Sequence, residues 1–159
     1  MPASPDPALV AIERAMLRIR RSVTRRELGR SMAGVLDDPG DLSQFFAVDA
    51  VDEASEAAGG GMGVTVGTVA ERLGVDPSRA SRLVAKAVRA GYLTRVASQA
   101  DGRQILLELT ERGRQVVQTM HAHRQAAFDR VMREWPADDR QEFARLLTRF
   151  TCAVDQPPG

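Results

Sequence analysis

The chain has 159 residues, 43% of them hydrophobic and 27% charged, with a formal net charge of +1. That length suits one domain with a sizeable core, or a small domain plus helices that need a partner. No apolar run approaches the ~20 residues of a membrane span, and the N-terminal MPASPDPALV lacks the basic and apolar regions of a secretory leader, so a cytoplasmic protein with no membrane partner is expected. Cys152 is the only cysteine, which excludes an intrachain disulfide and a cysteine-built zinc site.

Charge is unevenly spread. Residues 1–34 carry seven arginines and three acids, residues 35–63 seven acids and no base, residues 64–114 nine bases and five acids, and the remainder six of each. Of the 22 basic residues only Lys86 is lysine. Arginine suits bidentate contacts to phosphate and guanine, although a GC-rich coding bias gives the same ratio.

In chain order, Leu9, Ile12, Met16, Ile19 and Val23 recur every three or four residues with arginines between them, predicting a long amphipathic helix from about Asp6 to Met32. Turn residues at Gly34 and Asp37–Gly40 end it. Leu42, Phe45, Phe46 and Val48 or Asp49 predict a second helix, with Asp49, Asp52, Glu53 and Glu56 facing water. Gly59, Gly60 and Gly61 form a flexible connector; they lack the lysine and serine or threonine that would complete a phosphate loop.

The most informative stretch is Thr65 to Leu109. Thr65 caps a helix, Val66 to Leu73, whose apolar residues Val66, Val69, Ala70 and Leu73 share one face, and Gly74 ends it. The short connection Gly74, Val75, Asp76 lets a second helix cross the first, which is a helix-turn-helix arrangement. That second helix, Asp76 to Ala90, has Asp76 as N-cap, Pro77 at its first helical position and Gly91 as its C-terminal stop. Ala80, Leu83, Val84, Ala87 and Val88 form its buried stripe. Ser78, Arg79, Ser81, Arg82, Lys86 and Arg89 form the opposite face, whose hydroxyls and cations suit phosphate oxygens and base edges in a DNA major groove. Tyr92 to Ala97 and Arg103 to Leu109 then read as two strands of a hairpin, or wing.

Thr110 caps a long helix to Trp135, stopped by Pro136; Asp138 and Gln141 resemble a capping box, and Phe143, Leu146, Leu147, Phe150 and Val154 form the stripe of a last helix. Cys152 reads as a small apolar residue there. Residues 155–159 are expected to be disordered. The first helix and the last two have apolar faces that the small winged domain cannot cover, so a second copy of the chain is the simplest partner, with two-fold symmetry.

The stretches VTVGTVAERLGVDPSRASRLVAKAVRAGYLTR, DGRQILLELT and TERGR resemble the MarR family of bacterial transcriptional regulators. The resemblance implies a mainly α fold with a small β wing: an N-terminal dimerisation helix (1–34), a second helix and glycine-rich linker (35–63), a winged helix-turn-helix domain (64–109) and C-terminal dimerisation helices (110–154). It implies a homodimeric repressor that binds double-stranded DNA at a pseudo-palindromic operator and is released by a small, often anionic aromatic effector. The D-x-R pattern of the family's wing falls on Asp101, Gly102 and Arg103. There Arg103 would reach a minor groove and Asp101 would support the turn; alternatively both only stiffen a surface hairpin. The family's oxidant sensors carry their cysteine near the N-terminus, so Cys152 does not point to that chemistry.

No nucleophile and base pair or carboxylate dyad is apparent, so no enzyme, cofactor or metal is expected. His121 and His123, two apart on a helix, point to nearly opposite sides. His123, Arg14 and Arg18 are candidates for binding a carboxylate effector, against a plain role in solvation or dimer bridging. The competing function is a winged-helix protein-interaction module whose basic face meets an acidic partner.

Overall fold

The structure, a computed structural model, describes residues 6–24, 43–59, 63–99 and 102–154. Among these are six helices and a two-stranded antiparallel sheet. None of the helices is long and apolar enough to cross a membrane.

Most boundaries are set by local hydrogen bonds. Asp6 Oδ1 accepts the Ala8 N–H at 2.8 Å and starts α1 (Pro7–Thr24); the expected continuation through residues 25–32 lies outside the described residues. The α1 residues Leu9, Ile12, Met16 and Ile19 are exposed.

Helix α2 (Ser43–Ala57) is more than part of a linker. It buries Phe45, Ala47, Val48, Ala50, Val51 and Ala54, a broad face of mostly small residues that lets neighbouring helices approach closely. Phe46, expected on the apolar stripe, is instead 60% exposed, because the helical turn that aims Phe45 and Val48 inward carries Phe46 outward. Leu42 lies outside the described residues. The acidic run is not simply solvated either: Asp49 and Asp52 are half-buried, and Glu53 pairs with Arg72 at 3.0 Å.

Helices α3 (Val66–Leu73) and α4 (Pro77–Arg89) are capped at both ends. Thr65 Oγ1 accepts the Thr68 N–H at 3.1 Å while the Thr65 N–H donates to Thr68 Oγ1 at 3.4 Å, a reciprocal box that satisfies two otherwise orphaned donors. Gly74 takes the left-handed conformation (φ 59°), and the N–H groups of Gly74 and Val75 donate to Glu71 and Ala70, each at 3.1 Å. Gly91 (φ 76°) ends α4 in the same way, with Gly91 donating to Val88 and Tyr92 to Ala87, each at 3.0 Å.

Strands β1 (Leu93–Ala97) and β2 (Ile105–Leu109) pair with Leu93 opposite Leu109 and Ala97 opposite Ile105. Both are shorter than expected. Tyr92 is held in the turn that closes α4, and Gly102 to Gln104 belong to the wing turn. The Leu107 N–H also donates to the Val64 carbonyl at 2.7 Å, so the segment before α3 forms a single bridge to the wing.

The TERGR stretch is a junction. Thr110 Oγ1 accepts the Gly113 N–H at 3.0 Å, capping α5 (Glu111–Val131), and donates to the Gly91 carbonyl at 2.6 Å. Arg114 donates to the Leu109 carbonyl at 2.8 Å and to Glu111 at 3.0 Å. Gly113 is required because a Cβ there would collide with the Tyr92 backbone carbonyl.

One compact unit ends at His121 and the other begins at Ala122. In the first, Phe45, Val48, Val51, Val69, Val84, Leu93, Leu107, Val117 and Met120 share one core. Burying each such side chain is worth roughly 1.5–3 kcal/mol. The expected domain boundary after residue 109 is therefore displaced, since the first three turns of α5 belong to this core.

The second unit holds the end of α5 and α6 (Ala137–Val154). Helix α5 stops at Val131 rather than Trp135; the residue before a proline disfavours helical backbone, and the Arg140 guanidinium holds the unwound turn, donating to the carbonyls of Arg133 and Trp135, each at 3.3 Å. Asp138 is not the cap of α6. The Pro136 carbonyl accepts the Arg140 N–H at 3.2 Å, which places Asp138 and Asp139 inside the first turn, where they complement the helix dipole. Helix α6 buries no residue, and Cys152 is exposed.

Replacing Gly113 by alanine is expected to lower unfolding free energy by about 1–3 kcal/mol through overpacking. Thr110→Ala should lower it by about 1 kcal/mol through the lost cap. Urea unfolding followed by circular dichroism checks both.

Candidate nucleic-acid interface

Helix α4 turns its buried stripe, Ala80, Val84 and Ala87, onto the core with no exposed area. With that stripe fixed, Ser78, Arg82 and Arg89 lie at the centre of the outward face and Ser81 and Arg79 on its two edges, all exposed. Lys86 differs from the expectation of an outward cation. It is half-buried and its Nζ donates to Ser43 Oγ at 3.3 Å, at the start of α2. It lies on the same flank of α4 as Arg79, and its bond to Ser43 brings its aliphatic stem toward α2.

The start of α4 is rigid. Asp76 Oδ1 accepts the Ser78 hydroxyl at 2.6 Å and the Arg79 N–H at 2.9 Å. The Ser78 hydrogen bond, followed by that from Arg79, holds the Asp76 carboxyl below its ordinary value of 3.8, with the charge of Arg82 adding to the effect. The Ser78 hydroxyl proton is thus already committed, leaving its oxygen lone pairs to the outside.

The wing turn carries Arg103, which is exposed; Asp101, its expected support, lies outside the described residues. Arg95 on β1 is also exposed and adds to this basic surface. The charge count over residues 64–114 includes it, but strand periodicity alone does not single it out. At the opposite end of the wing the Arg112 guanidinium lies 4.8 Å from the centre of the Tyr92 ring, within reach of a cation–π attraction. Arg72, by contrast, is held by Glu53.

Arg14 and Arg18 are exposed along α1, and His123 is exposed on α5. A shallow cleft of about 230 Å³ between the end of α2 and the start of α3 is lined by Ala54, Val64, Thr68 and Arg72 among others, and by none of those three. His121 is the histidine with a defined partner, 3.4 Å from Asp52.

Residues 54–104, from the end of α2 through the wing turn, match the MarR family. Over this segment the chain is similar to MarR-family proteins. The chain as a whole is similar to RV1404 from Mycobacterium tuberculosis, with 27% identity over 98% of this chain and 99% of that one and a TM-score of 0.69. It is similar to a MarR family protein from Bacillus stearothermophilus over 97% and 100% of the two chains, with a TM-score of 0.75 at 19% identity, a likeness of fold alone. The PcaV transcriptional regulator from Streptomyces coelicolor, solved in complex with its natural ligand, matches over 96% and 99% of the chains with 26% identity and a TM-score of 0.59. No curated protein sequence matches the chain. The winged helix of MarR-family regulators is therefore the fold on which the exposed face of α4 stands.

The carboxyl of Asp76 is expected to titrate below 3.8 by NMR, and Ser78→Ala to move that midpoint back up, since the Ser78 hydroxyl is its strongest stabilising contact. Because the folded value is depressed, the cap's charge contributes stability above the unfolded value of 3.8 and loses it as pH falls through the folded one. Asp76→Asn should accordingly be most destabilising near neutral pH and least in acid.

Proposed function

We propose that the chain is a homodimeric transcriptional repressor that sets α4 in the major groove of a pseudo-palindromic operator and is released by a small effector. The observation that carries this reading is the outward face of α4. Ser78, Arg79, Ser81, Arg82 and Arg89 stand exposed on a helix capped at both ends and backed by fully buried residues, next to a wing turn bearing Arg103. Guanidinium groups match guanine O6 and N7 and phosphate oxygens, and serine hydroxyls bond either, so this face can both position and read a duplex. Arg103 and Arg95 extend the cationic surface along the wing, where a narrow minor groove attracts arginine. Lys86 supports α4 from behind through Ser43.

Dimerisation is supported by the apolar faces that remain open: Leu9, Ile12 and Ile19 on α1, and Phe143, Leu146, Leu147 and Phe150 on α6, each 41–63% exposed. A two-fold pair presents two α4 helices about one DNA turn apart, which makes the operator pseudo-palindromic. Arg14, Arg18 and His123 are the groups offered to a carboxylate-bearing effector, by analogy with a relative solved with a natural ligand. Such an effector shifts the DNA-binding equilibrium only by its differential affinity for the two states.

In fluorescence titrations onto the chain's own upstream DNA and a scrambled control, Arg82→Ala and Arg89→Ala should each cost about 1–3 kcal/mol and relax base preference. Arg103→Ala should weaken both DNAs evenly and reduce the salt slope by about 1. Unchanged affinity in a combined Arg79→Ala, Arg82→Ala and Arg103→Ala variant would refute the reading and favour a protein partner for the basic face. Leu146→Glu with Phe150→Glu should halve the mass seen by light scattering.

A further inference from the structure

His121 and His123 are the two histidines of the chain. Only His121 has a defined acidic partner among the described residues: its Nε2 lies 3.4 Å from Asp52 Oδ2, with the side chains 38% and 16% exposed. Asp52 belongs to the middle of α2, and His121 is the residue at which the first compact unit ends. The contact therefore spans from the core's most buried helix to the last turn of α5 that still belongs to that core, beside Val117 and Met120, 5% and 4% exposed.

We propose that His121 and Asp52 form a proton-operated latch that fastens α5 onto α2. On α2 the charged groups on the same side as Asp52 are Asp49 and Glu56, one helical turn to either side, while Glu53 is taken up by Arg72 at 3.0 Å. On α5 the neighbours one turn away are Val117, Gln118, Arg124 and Gln125. Farther along α2, Ser43 accepts Lys86 from α4. Across the helix junction the imidazole meets the Asp52 carboxylate. When protonated it forms an ion pair with a half-buried carboxylate at 3.4 Å, and when neutral that charge attraction is lost.

Histidine is the side chain whose charge ordinarily changes between about pH 5 and 8. The latch is closed while the imidazole carries its second proton and loosens when that proton leaves. Because the first compact unit ends at His121, proton uptake tightens the anchorage of α5 on this unit. The device is independent of DNA binding and is tested without DNA.

Thermal unfolding of the full chain at pH 6 and pH 8 provides the test. At pH 6 His121→Gln should melt about 2–4 °C below the unaltered protein, and at pH 8 the gap should shrink to less than half. Asp52→Asn should flatten the same pH dependence, whereas His123→Gln, an exposed change two residues away, should leave it intact. Amide exchange, corrected for its intrinsic pH dependence, should show residues 117–121 better protected at pH 6 than at pH 8 in the unaltered protein and equally protected in His121→Gln. A gap of the same size at both pH values would make the contact mere packing and overturn the latch, as would a pH dependence abolished by His123→Gln.

Discussion

The geometry of the winged unit hangs on the backbone of Tyr92. Its N–H closes the end of α4 on the Ala87 carbonyl at 3.0 Å, and its own carbonyl accepts the Thr110 N–H at 3.0 Å. The first turn of α5 approaches that carbonyl so closely that position 113 has no room for a side chain. The Tyr92 ring meets Phe45 of α2 at 5.3 Å between centroids and carries the Arg112 guanidinium on a face. One residue therefore joins the exit of α4, the entry of β1, the start of α5 and the core face of α2. The direction in which α4 presents Arg82 and Arg89 follows from this junction, because a helix held at both ends and along its back has no remaining freedom to roll.

The features that could be read directly from the sequence are those whose chemistry is local. Thr65, Gly74, Asp76, Pro77, Gly91 and Thr110 each act on backbone groups within a few residues, so the residue type alone reveals the boundary. The buried stripe of α4 was legible for the same reason, since helical spacing is a one-dimensional signal. What escaped depends on distant partners. The Val64 bridge to Leu107, the Lys86 bond to Ser43 and the pairing of His121 with Asp52 join residues 43 to 69 positions apart. The acidic run on α2 illustrates the point: composition reads it as solvated, yet tertiary partners claim Asp52 and Glu53.

Boundaries went wrong where two local signals competed. Pro136 marks a stop near Trp135, but the chain leaves the helix a turn earlier because Arg140 offers its guanidinium to the freed carbonyls. The same arginine carries a hydrogen bond from its own N–H to Pro136, so α6 begins before the Asp138 pattern. One residue thus acts at two helix ends, through its guanidinium at the first and its backbone N–H at the second. In the candidate interface, the serines and arginines of α4 were legible by pattern, while the inward turn of Lys86 required knowledge of where α2 lies.

Helix α6 poses the sharpest energetic question. Its 18 residues bury none of their number, Phe143, Leu146, Leu147 and Phe150 remain 41–47% exposed, and Trp135 meets Phe143 edge-on at 5.4 Å between rings. Helix nucleation is costly, and in proteins most helical stability comes from packing an apolar face rather than from propensity. The stability of α6 must then come from apolar surface outside the described contacts, at roughly 25 cal/mol per Å² covered. If a second copy covers this stripe, as proposed above, helix order and assembly become one equilibrium, and the stability of this part of the chain then depends on protein concentration. The winged unit, with its own core of Val48, Val84, Leu93 and Leu107, carries no such dependence. In that proposed arrangement the winged unit stands on its own core, while α6 is complete only in the assembled form.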